Sequence, residues 1–313
     1  MKGKDFLSVA DLSAEGIHQL ISSAVMMKAE GWNSKLSGKV LALLFEKPSL
    51  RHRVSFEVAM RQLGGQCIYL SPAEVGLGQR ESIGDVARVL SGYVDCIAAR
   101  TYSHRSLETL ARYSRVPVIN ALSDLEHPCQ ALADLLTIYE KKEGLEGLTL
   151  AYIGDGNNVA NSLVLGAALC GINFRIASPA GYALKDNILN IARAYAAASG
   201  SAVFLTQEPR EAVAGADIVY TDVWTSMGQE SEAEKRRRAF AGYQVNAALL
   251  SMAKADAIFM HDLPAHRGEE ATDDVMDGAQ SVVFEQSENK MHMLKALLTD
   301  MLGGLEIELA DIR

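Results

Sequence analysis

Apolar residues follow two alternating patterns from residue 39 almost to the end of the chain. Short runs rich in apolar residues predict strands, and the longer segments between them repeat apolar positions with the period of a helix. Repeated strand and helix units of this kind indicate an α/β fold with parallel sheets flanked by helices. The predicted strands cover 39–46, 66–71, 96–102, 116–122, 148–153, 173–178, 202–206, 217–223 and 257–262.

A charged, glycine-containing stretch at 140–148 interrupts this rhythm, which then starts again. We therefore predict two domains, over 1–143 and 144–287. The segment from about 285 to 305 has the pattern of one long helix that ends at Gly303 and Gly304. The helices predicted in the first half cover 50–63, 81–92, 104–114 and 127–143.

Composition narrows the class of protein. The 313 residues carry a formal net charge of -9, which argues against a nucleic-acid or membrane-surface partner. No window approaches the 18 or more apolar residues of a membrane span, and the start of the chain does not resemble a signal peptide. The four cysteines show no metal-ligand spacing, which is typical of reduced thiols in a cytoplasmic protein.

Ligands of open parallel sheets bind beyond the carboxyl ends of the strands, so candidate chemistry is expected where strands lead into helices. Four such junctions are unusually polar. They read FEKPSLRHR at 45–53, SDLEHPCQ at 123–130, TDVWTSMGQE at 221–230 and MHDLPAHRGEE at 260–270.

The first junction has the composition of an anion site. Ser49 is placed to cap a helix whose first turn carries Arg51, His52 and Arg53. Cationic side chains there oppose the helix dipole, and a bound phosphate would compensate for them. The alternative is an ordinary serine cap with solvated arginines.

Arg100, His127 and Gln130 are further candidates for contacts to a phosphate or a carbonyl oxygen. Arg100 ends an apolar strand, while His127 and Gln130 open a helix that has Pro128 at its first position. An interdomain ion pair for Arg100 and a simple cap or surface role for His127 remain open.

The segment YIGDGNNVANS at 152–162 invites comparison with a dinucleotide-binding loop, because Gly154 and Gly156 follow a strand and precede a helix. The third glycine of that motif is replaced by Val159, and the next strand ends without the acidic residue that binds a ribose. Asn157 and Asn158 suit a small carboxylate instead.

Polar residues also follow the last two strands. Asp222 and Ser226 suit an amino group. The alternative is that these residues only stabilise the turn that carries them. Metal binding is not expected at His261 and His266, because neither belongs to a spaced ligand set.

In combination, the four junctions resemble the aspartate/ornithine carbamoyltransferase family, and its ornithine branch in particular, over essentially the whole chain. They are similar to the family's FxKxSTRTR, HPxQ, DxWxSMG and HCLPxxRGxE motifs, in the same order. The resemblance implies two domains joined by long helices, with a C-terminal helix over 288–313 that packs back on the first domain. It also implies a homotrimer or an assembly of trimers.

The implied reaction transfers the carbamoyl group of carbamoyl phosphate to the δ-amine of L-ornithine in arginine biosynthesis, without a metal or organic cofactor. Catalytic roles carry over to Arg100, His127, Gln130, Asp222 and Asp262. Ornithine would bind to Asn158, Asp222, Ser226 and Met227. Carbamoyl phosphate would bind to Ser49, Leu50, Arg51, His52, Arg100, His127, Pro128, Cys129, Gln130, Asp262, Leu263 and Lys290.

This chain departs from the family pattern at several of these positions. Leu50 and His52 replace the two threonines of STRTR, Asp262 replaces the cysteine of HCLP, and Lys290 replaces an arginine. Gly76 stands where relatives contribute a side chain to the site of a neighbouring subunit. In this chain Gln79 or Arg80 could provide that side chain instead. Asp222 and Asp262 together would hold an amine in its charged form unless one of them is protonated or paired. A carbamoyltransferase for another amine, or a catalytically silent ligand-binding homologue, are the alternatives.

Overall fold

The computed structural model describes residues 1–78, 80–226 and 228–303. The chain divides into two compact units. The first contains Met1–Asp11, His18–Asp124 and the chain from Met291 onward, and the second contains Leu12–Ile17 and Leu125–Lys290.

The described part of the first unit is built on a four-stranded parallel sheet with the order β2-β1-β3-β4. The strands are β1 (Val40–Phe45), β2 (Gln66–Leu70), β3 (Cys96–Arg100) and β4 (Val118–Leu122). β1 and β3 are almost wholly buried, because helices cover both faces of a parallel sheet. The helices are α1 (Ala14–Glu30), α2 (Leu50–Gln62), α3 (Pro72–Val75), α4 (Ile83–Leu90) and α5 (His104–Tyr113).

The described part of the second unit holds a five-stranded parallel sheet with the order β7-β6-β5-β8-β9. Its strands are β5 (Thr149–Ile153), β6 (Asn173–Ala177), β7 (Val203–Thr206), β8 (Ile218–Thr221) and β9 (Ile258–His261). Its helices are α6 (Pro128–Lys142), α7 (Asn158–Leu169), α8 (Asp186–Ser199), α9 (Pro209–Val213), α10 (Ala233–Ala239), α11 (Ala247–Leu250), α12 (Asp273–Met276) and α13 (Val283–Leu298).

The α/β fold class and every predicted strand are confirmed, with ends that differ by a few residues. The helix α1 was not predicted, although its buried residues Ile17, Leu20, Ile21, Ala24 and Met27 follow a helical period. The chain passes between the two units after Asp11, within α1, after Asp124 and within α13.

The domain boundary at 143/144 stays a prediction, since the division into compact units places α6 with the second sheet. The end of the described chain packs in the first unit. There Lys295 Nζ donates to the carbonyl oxygens of Met27 and Gly31, at 3.0 and 2.7 Å. The part of the predicted terminal helix over 304–313 lies outside the described residues. Within the described ranges, no helix combines the length and the apolar character that a membrane span requires.

Candidate active site

Arg100 and the start of α2 meet at the carboxyl edge of the first sheet. Phe45, the last residue of β1, pairs with Arg100, the last residue of β3. The next backbone N–H, that of Glu46, donates to the Arg100 carbonyl oxygen at 2.8 Å. The register of the two strands therefore fixes where the segment leading into α2 begins.

The first turn of α2 has the features expected of an anion site. Ser49 is the N-cap, in extended conformation, and its Oγ accepts from the His52 backbone N–H at 3.4 Å. The backbone N–H groups of Leu50 and Arg51 lie in the first turn, where a helix offers donors with no partner inside the helix. No acidic side chain occupies this turn, so an anion would be the natural counterpart of the helix dipole.

His52 and Arg100 are both buried beside this turn, with 4% and 7% of their surfaces exposed. Arg100 Nη1 lies 3.4 Å from His52 Nδ1, and Ser49 Oγ lies 2.9 Å from the same nitrogen. A guanidinium can only donate, so Nδ1 accepts and the imidazole proton lies on Nε2. His52 therefore remains a donor at a position where the family has a hydroxyl.

A second set of candidate residues opens α6 in the second unit. His127 is the N-cap and Pro128 is the first helical residue, as the sequence predicts. The His127 backbone N–H donates to Ser162 Oγ at 2.8 Å, and that hydroxyl donates to Glu126 Oε2 at 2.9 Å. Burial raises the pKa of the Cys129 thiol to about 12, which disfavours the thiolate form that a nucleophilic cysteine needs.

Gln130 is held by a wholly buried carboxylate one turn further along α6. Asp134 Oδ1 accepts from Gln130 Nε2 at 2.7 Å and from Gln286 Nε2 at 2.7 Å, and Oδ2 accepts from the Tyr220 hydroxyl at 3.0 Å. Burial raises the pKa of Asp134 from 3.8 to about 6, against the opposing effect of these hydrogen bonds and of the Lys290 charge.

Replacing Asp134 by Asn is expected to stabilise the protein increasingly as pH rises. Because the carboxyl pKa is higher in the folded state, ionisation destabilises the fold between the unfolded pKa and about 6. A shift of about two pKa units corresponds to roughly 3 kcal/mol. The free energy of unfolding in urea, compared between about pH 4 and about pH 7, should therefore favour the variant by a margin that grows by about this amount. A margin that stays constant would contradict the assignment; Asp274→Asn, exposed on α12, is the control.

Asp222 and Asp262 lie together at the carboxyl edge of the second sheet. Asp222 follows β8 and Asp262 follows β9, and these strands are neighbours. Burial, then the negative charge of Asp262 and a hydrogen bond with it, raises the pKa of Asp222 well above its ordinary value. Asp222 is therefore the carboxyl group of this pair that more readily keeps a proton. That one of the two must be protonated or paired when an amine binds stays a prediction.

Asp222 is also fixed by a residue whose role the sequence analysis missed. Asn157 Oδ1 caps α7 by accepting from the backbone N–H groups of Val159 and Ala160, at 3.0 and 3.1 Å. Its Nδ2 donates to Asp222 Oδ2 at 2.7 Å. Asn158, the predicted ornithine contact, is the first residue of α7. One side chain thus orients both the helix and the carboxyl group.

The second glycine of the segment that mimics a dinucleotide loop, Gly156, is required by close packing of the chain. A Cβ on Gly156 would lie 2.4 Å from the carbonyl carbon of Ala183, and the Gly156 N–H donates to the Tyr182 carbonyl at 2.7 Å. The close approach that a nucleotide would need is therefore occupied by the chain itself.

His261 orients the segment that carries Asp262 and Leu263. Its Nδ1 accepts from the Leu263 N–H at 2.9 Å, and its Nε2 lies 3.2 Å from Glu270 Oε1. Leu263 has a φ of 59° and is followed by a cis peptide bond to Pro264.

One ligand atom from each of Asp222, His261 and Asp262 lies within 4.8 Å of the others, a spacing compatible with a metal ion. In this cluster both ring nitrogens of His261 have hydrogen-bond partners, and Asp222 Oδ2 accepts from Asn157. In a second such cluster, formed by His266, Glu269 and Glu270, Glu269 binds Arg237 and Glu270 Oε1 accepts from the His266 N–H. Hydrogen bonds thus engage one carboxylate oxygen of each glutamate in this cluster.

The loop after Asp222 is anchored by a buried ion pair. Arg236 Nη1 donates to Asp155 Oδ2 at 2.6 Å and to the Trp224 carbonyl at 3.0 Å. The Ser226 N–H donates to Gln229 Oε1 at 3.1 Å, which holds this residue near the loop end. The predicted ornithine contact Met227 lies outside the described residues.

Three of the departures from the family pattern have a definite place. Leu50 is 76% exposed, so its side chain does not fill the space in which an anion would bind at the start of α2. Lys290 is buried on α13, where its charge lowers the pKa of Cys129 and Asp134 against the effect of burial. Gly76 ends α3 with a left-handed φ of 50°, a conformation that favours glycine. Gln79 is outside the described residues, and Arg80 is exposed.

Two family models match almost the whole chain. The carbamoyl-P binding domain of the aspartate/ornithine carbamoyltransferases matches residues 4–140, and their Asp/Orn binding domain matches residues 146–301. The chain belongs to this family.

Relatives in sequence and structure agree with this assignment. The ornithine carbamoyltransferase of Anoxybacillus flavithermus is 54% identical over 306 residues, which cover 96% of this chain and 98% of that protein. The anabolic ornithine carbamoyltransferase of Pyrococcus furiosus is 50% identical over 310 residues, or 98% of each chain. A solved structure of the Pyrococcus furiosus enzyme superposes with a TM-score of 0.94 over 97% of this chain and 99% of that one.

Proposed function

We propose that the protein transfers the carbamoyl group of carbamoyl phosphate to the δ-amine of L-ornithine, giving L-citrulline and phosphate, in arginine biosynthesis. The observation that carries this proposal is the buried, hydrogen-bonded pair of Asp222 and Asp262, in a chain that matches ornithine carbamoyltransferases over 96–98% of its length. A pair of this kind suits an amine that must lose a proton before it can attack a carbonyl carbon.

The first unit is assigned to the phosphate group. The N–H groups at the start of α2, the Arg51 and Arg100 guanidiniums and the Nε2–H of His52 would donate to a dianion. A leaving group that is already hydrogen-bonded departs with its charge stabilised, which lowers the barrier for collapse of the tetrahedral intermediate. Arg100 is also assigned to the carbamoyl oxygen, as the family resemblance implies.

The second unit is assigned to the carbamoyl nitrogen and oxygen through α6. Gln130 Nε2 is committed to Asp134, and Gln130 Oε1 is buried without a hydrogen-bond partner among the described residues. An acceptor in this position suits the N–H groups of a carbamoyl group. We therefore assign Gln130 to the carbamoyl nitrogen rather than to the oxygen expected from the sequence, and leave the oxygen to His127 and Arg100.

The acceptor amine is assigned to Asp222. Binding of the charged δ-ammonium releases the proton of the pair to solvent, so that both carboxylates are ionised in the complex. A proton then leaves the δ-nitrogen for Asp222, whose raised pKa favours this transfer. The neutral nitrogen then attacks the carbonyl carbon, the C–O bond to phosphate breaks, and the second nitrogen proton leaves with the phosphate. Asn158, Ser226 and Met227 are assigned to the α-amino and α-carboxylate groups.

Steady-state product formation with a panel of acceptors tests this proposal. With carbamoyl phosphate as donor, we expect rapid turnover of L-ornithine and at least 10²-fold lower kcat/KM for putrescine, L-lysine and N-acetylornithine, because each lacks or displaces a group that the site recognises. Faster turnover of another amine would assign the chain to that acceptor. Binding of carbamoyl phosphate without turnover of any amine would identify a silent homologue.

We also propose that the protein is a homotrimer, or an assembly of trimers. Apolar side chains are exposed on α2, where Leu50 and Val54, one helical turn apart, are 76% and 48% exposed. Exposed apolar groups in one region are typical of a subunit interface. Light scattering should give about three times the 33.8 kDa of one chain, and Val54→Glu should lower that mass. A wild-type mass of one chain would contradict the proposal.

A cytoplasmic location is part of the same proposal. Cys67, Cys96, Cys129 and Cys170 are all thiols rather than members of disulfides, and three of them are buried. Such cysteine usage suits a reducing compartment.

A further inference from the structure

We propose that Asp134 is a positioning residue that determines which end of the Gln130 amide faces carbamoyl phosphate. This inference rests on the proposed function, because it concerns recognition of the carbamoyl nitrogen. Asp134 itself is assigned no contact with either substrate, and acts through Gln130.

The first argument is the direction of the hydrogen bonds at Asp134. A carboxylate only accepts, so both glutamines that meet Oδ1 at 2.7 Å must present their NH₂ groups to it. For Gln130 this leaves Oε1 as the group directed away from Asp134. An amide that rotated by half a turn would place its oxygen against the Asp134 carboxylate and would lose a charge-assisted hydrogen bond.

The second argument is that Asp134 fixes another amide in the same way. Gln286 on α13 also has its NH₂ group on Asp134 and on the Tyr220 hydroxyl, at 2.7 and 3.1 Å. Its Oε1 consequently faces β9, where it accepts from the His261 backbone N–H at 2.9 Å. One carboxylate thus orients Gln130 on α6 and the strand end that leads to Asp262.

The third argument is burial. Asp134 is completely buried and Gln130 is 1% exposed, so water cannot replace the missing partner if the Asp134 carboxylate is removed. Burying a carboxylate in this way disfavours its charged form. The network keeps the charge within reach of Lys290, whose ammonium lowers the pKa of the carboxyl group.

The consequence is a discrimination between acyl phosphates. Acetyl phosphate has the shape of carbamoyl phosphate but carries a methyl group in place of NH₂. A fixed acceptor oxygen favours NH₂, whereas an amide free to rotate does not make this distinction. The quantity to measure is the discrimination ratio, the Kd of acetyl phosphate divided by the Kd of carbamoyl phosphate.

A double-mutant cycle tests the proposal. Gln130→Ala and Asp134→Ala should each lower the discrimination ratio about five- to tenfold, the loss expected for one hydrogen bond. Asp134→Ala should not lower the ratio further in the Gln130→Ala background, since it acts through Gln130. Asp134→Asn should keep the ratio within about twofold, because its amide oxygen can still accept from both glutamines while its NH₂ donates to Tyr220.

A matched control separates this role from a structural one. Asp217 is another buried carboxyl group, at the amino end of β8, where it accepts from the Thr149 N–H and from Lys254 Nζ. Asp217→Ala should lower stability and leave the ratio unchanged. If Asp134→Ala behaves like this control, or lowers the ratio equally without Gln130, the proposal is overturned.

The ratio is obtained from equilibrium competition and does not require turnover. Wild-type protein that binds carbamoyl phosphate but makes no citrulline would end the proposed function, while the cycle would still decide the role of Asp134. Conversely, rapid citrulline formation together with a ratio that Asp134→Ala does not change would overturn only the present inference.

Discussion

Arg100→Gln is expected to lower kcat/KM for carbamoyl phosphate by roughly 10³-fold, the loss typical of removing one donor that stabilises charge in the transition state. Arg100 is buried at the end of β3, and its guanidinium lies against His52 beside the first turn of α2. Glutamine keeps a planar end group that can donate, but it removes the positive charge. Steady-state kinetics with saturating ornithine measures the effect.

A control on the neighbouring helix distinguishes this loss from a general loss of positive charge. Arg53 lies on α2, where its Nε binds Glu57 at 2.8 Å and its guanidinium stacks over the Tyr69 ring. Because this side chain is occupied and exposed, Arg53→Gln should change kcat/KM by no more than about threefold. A loss below about tenfold for Arg100→Gln, with unchanged circular dichroism, would contradict the assignment of Arg100.

Asp262→Asn is expected to move the acidic limb of the pH profile of kcat/KM for ornithine downward by at least about one pH unit, because this limb follows the pKa of the base Asp222 in the free protein. The negative charge of Asp262 is one of the causes that raise the pKa of Asp222. Without that charge, Asp222 is a weaker base and holds ornithine as an ion pair. We expect kcat/KM near pH 7 to fall by about 10- to 100-fold, at the low end of what a general base contributes.

The pH dependence is the feature that a merely structural role would not produce. Above the pKa of the free δ-amine the acceptor needs no base, so the variant and the wild type should approach each other there. Asp274→Asn, an exposed position on α12, should leave the profile unchanged. An acidic limb that stays in place or moves upward in Asp262→Asn would contradict the role of the pair.

The strands and the residues at their ends could be predicted because local pattern determines them. A run such as Val40–Phe45 is buried from its second residue onward, and the polar residues that follow it must then lie at the carboxyl edge of a parallel sheet. This reasoning found Ser49, Arg100, Asp222 and Asp262. It also predicted the cap and first turn of α2 and the proline start of α6, which depend on residues next to each other in sequence.

The supporting contacts could not be predicted in the same way, because they join residues far apart in the chain. Asp134 and Gln286 are separated by 152 positions, and Asn157 and Asp222 by 65. A carboxylate on an apolar helix face is a local signal that could have found Asp134. The packing of Gly156 against Ala183 had no such signal, since glycine in a loop has several explanations.

The most direct test of the account is calorimetric binding of N-phosphonoacetyl-L-ornithine, which joins a phosphonate to an acylated ornithine. We expect one molecule per chain to bind at least about 10²-fold more tightly than ornithine, as analogues of this class do. Arg100→Gln in the first unit and Asn158→Ala in the second unit should each weaken that binding. Absence of binding would contradict the claim that the protein binds both a phosphoryl donor and an amino-acid acceptor. So would an affinity that Arg100→Gln or Asn158→Ala leaves unchanged.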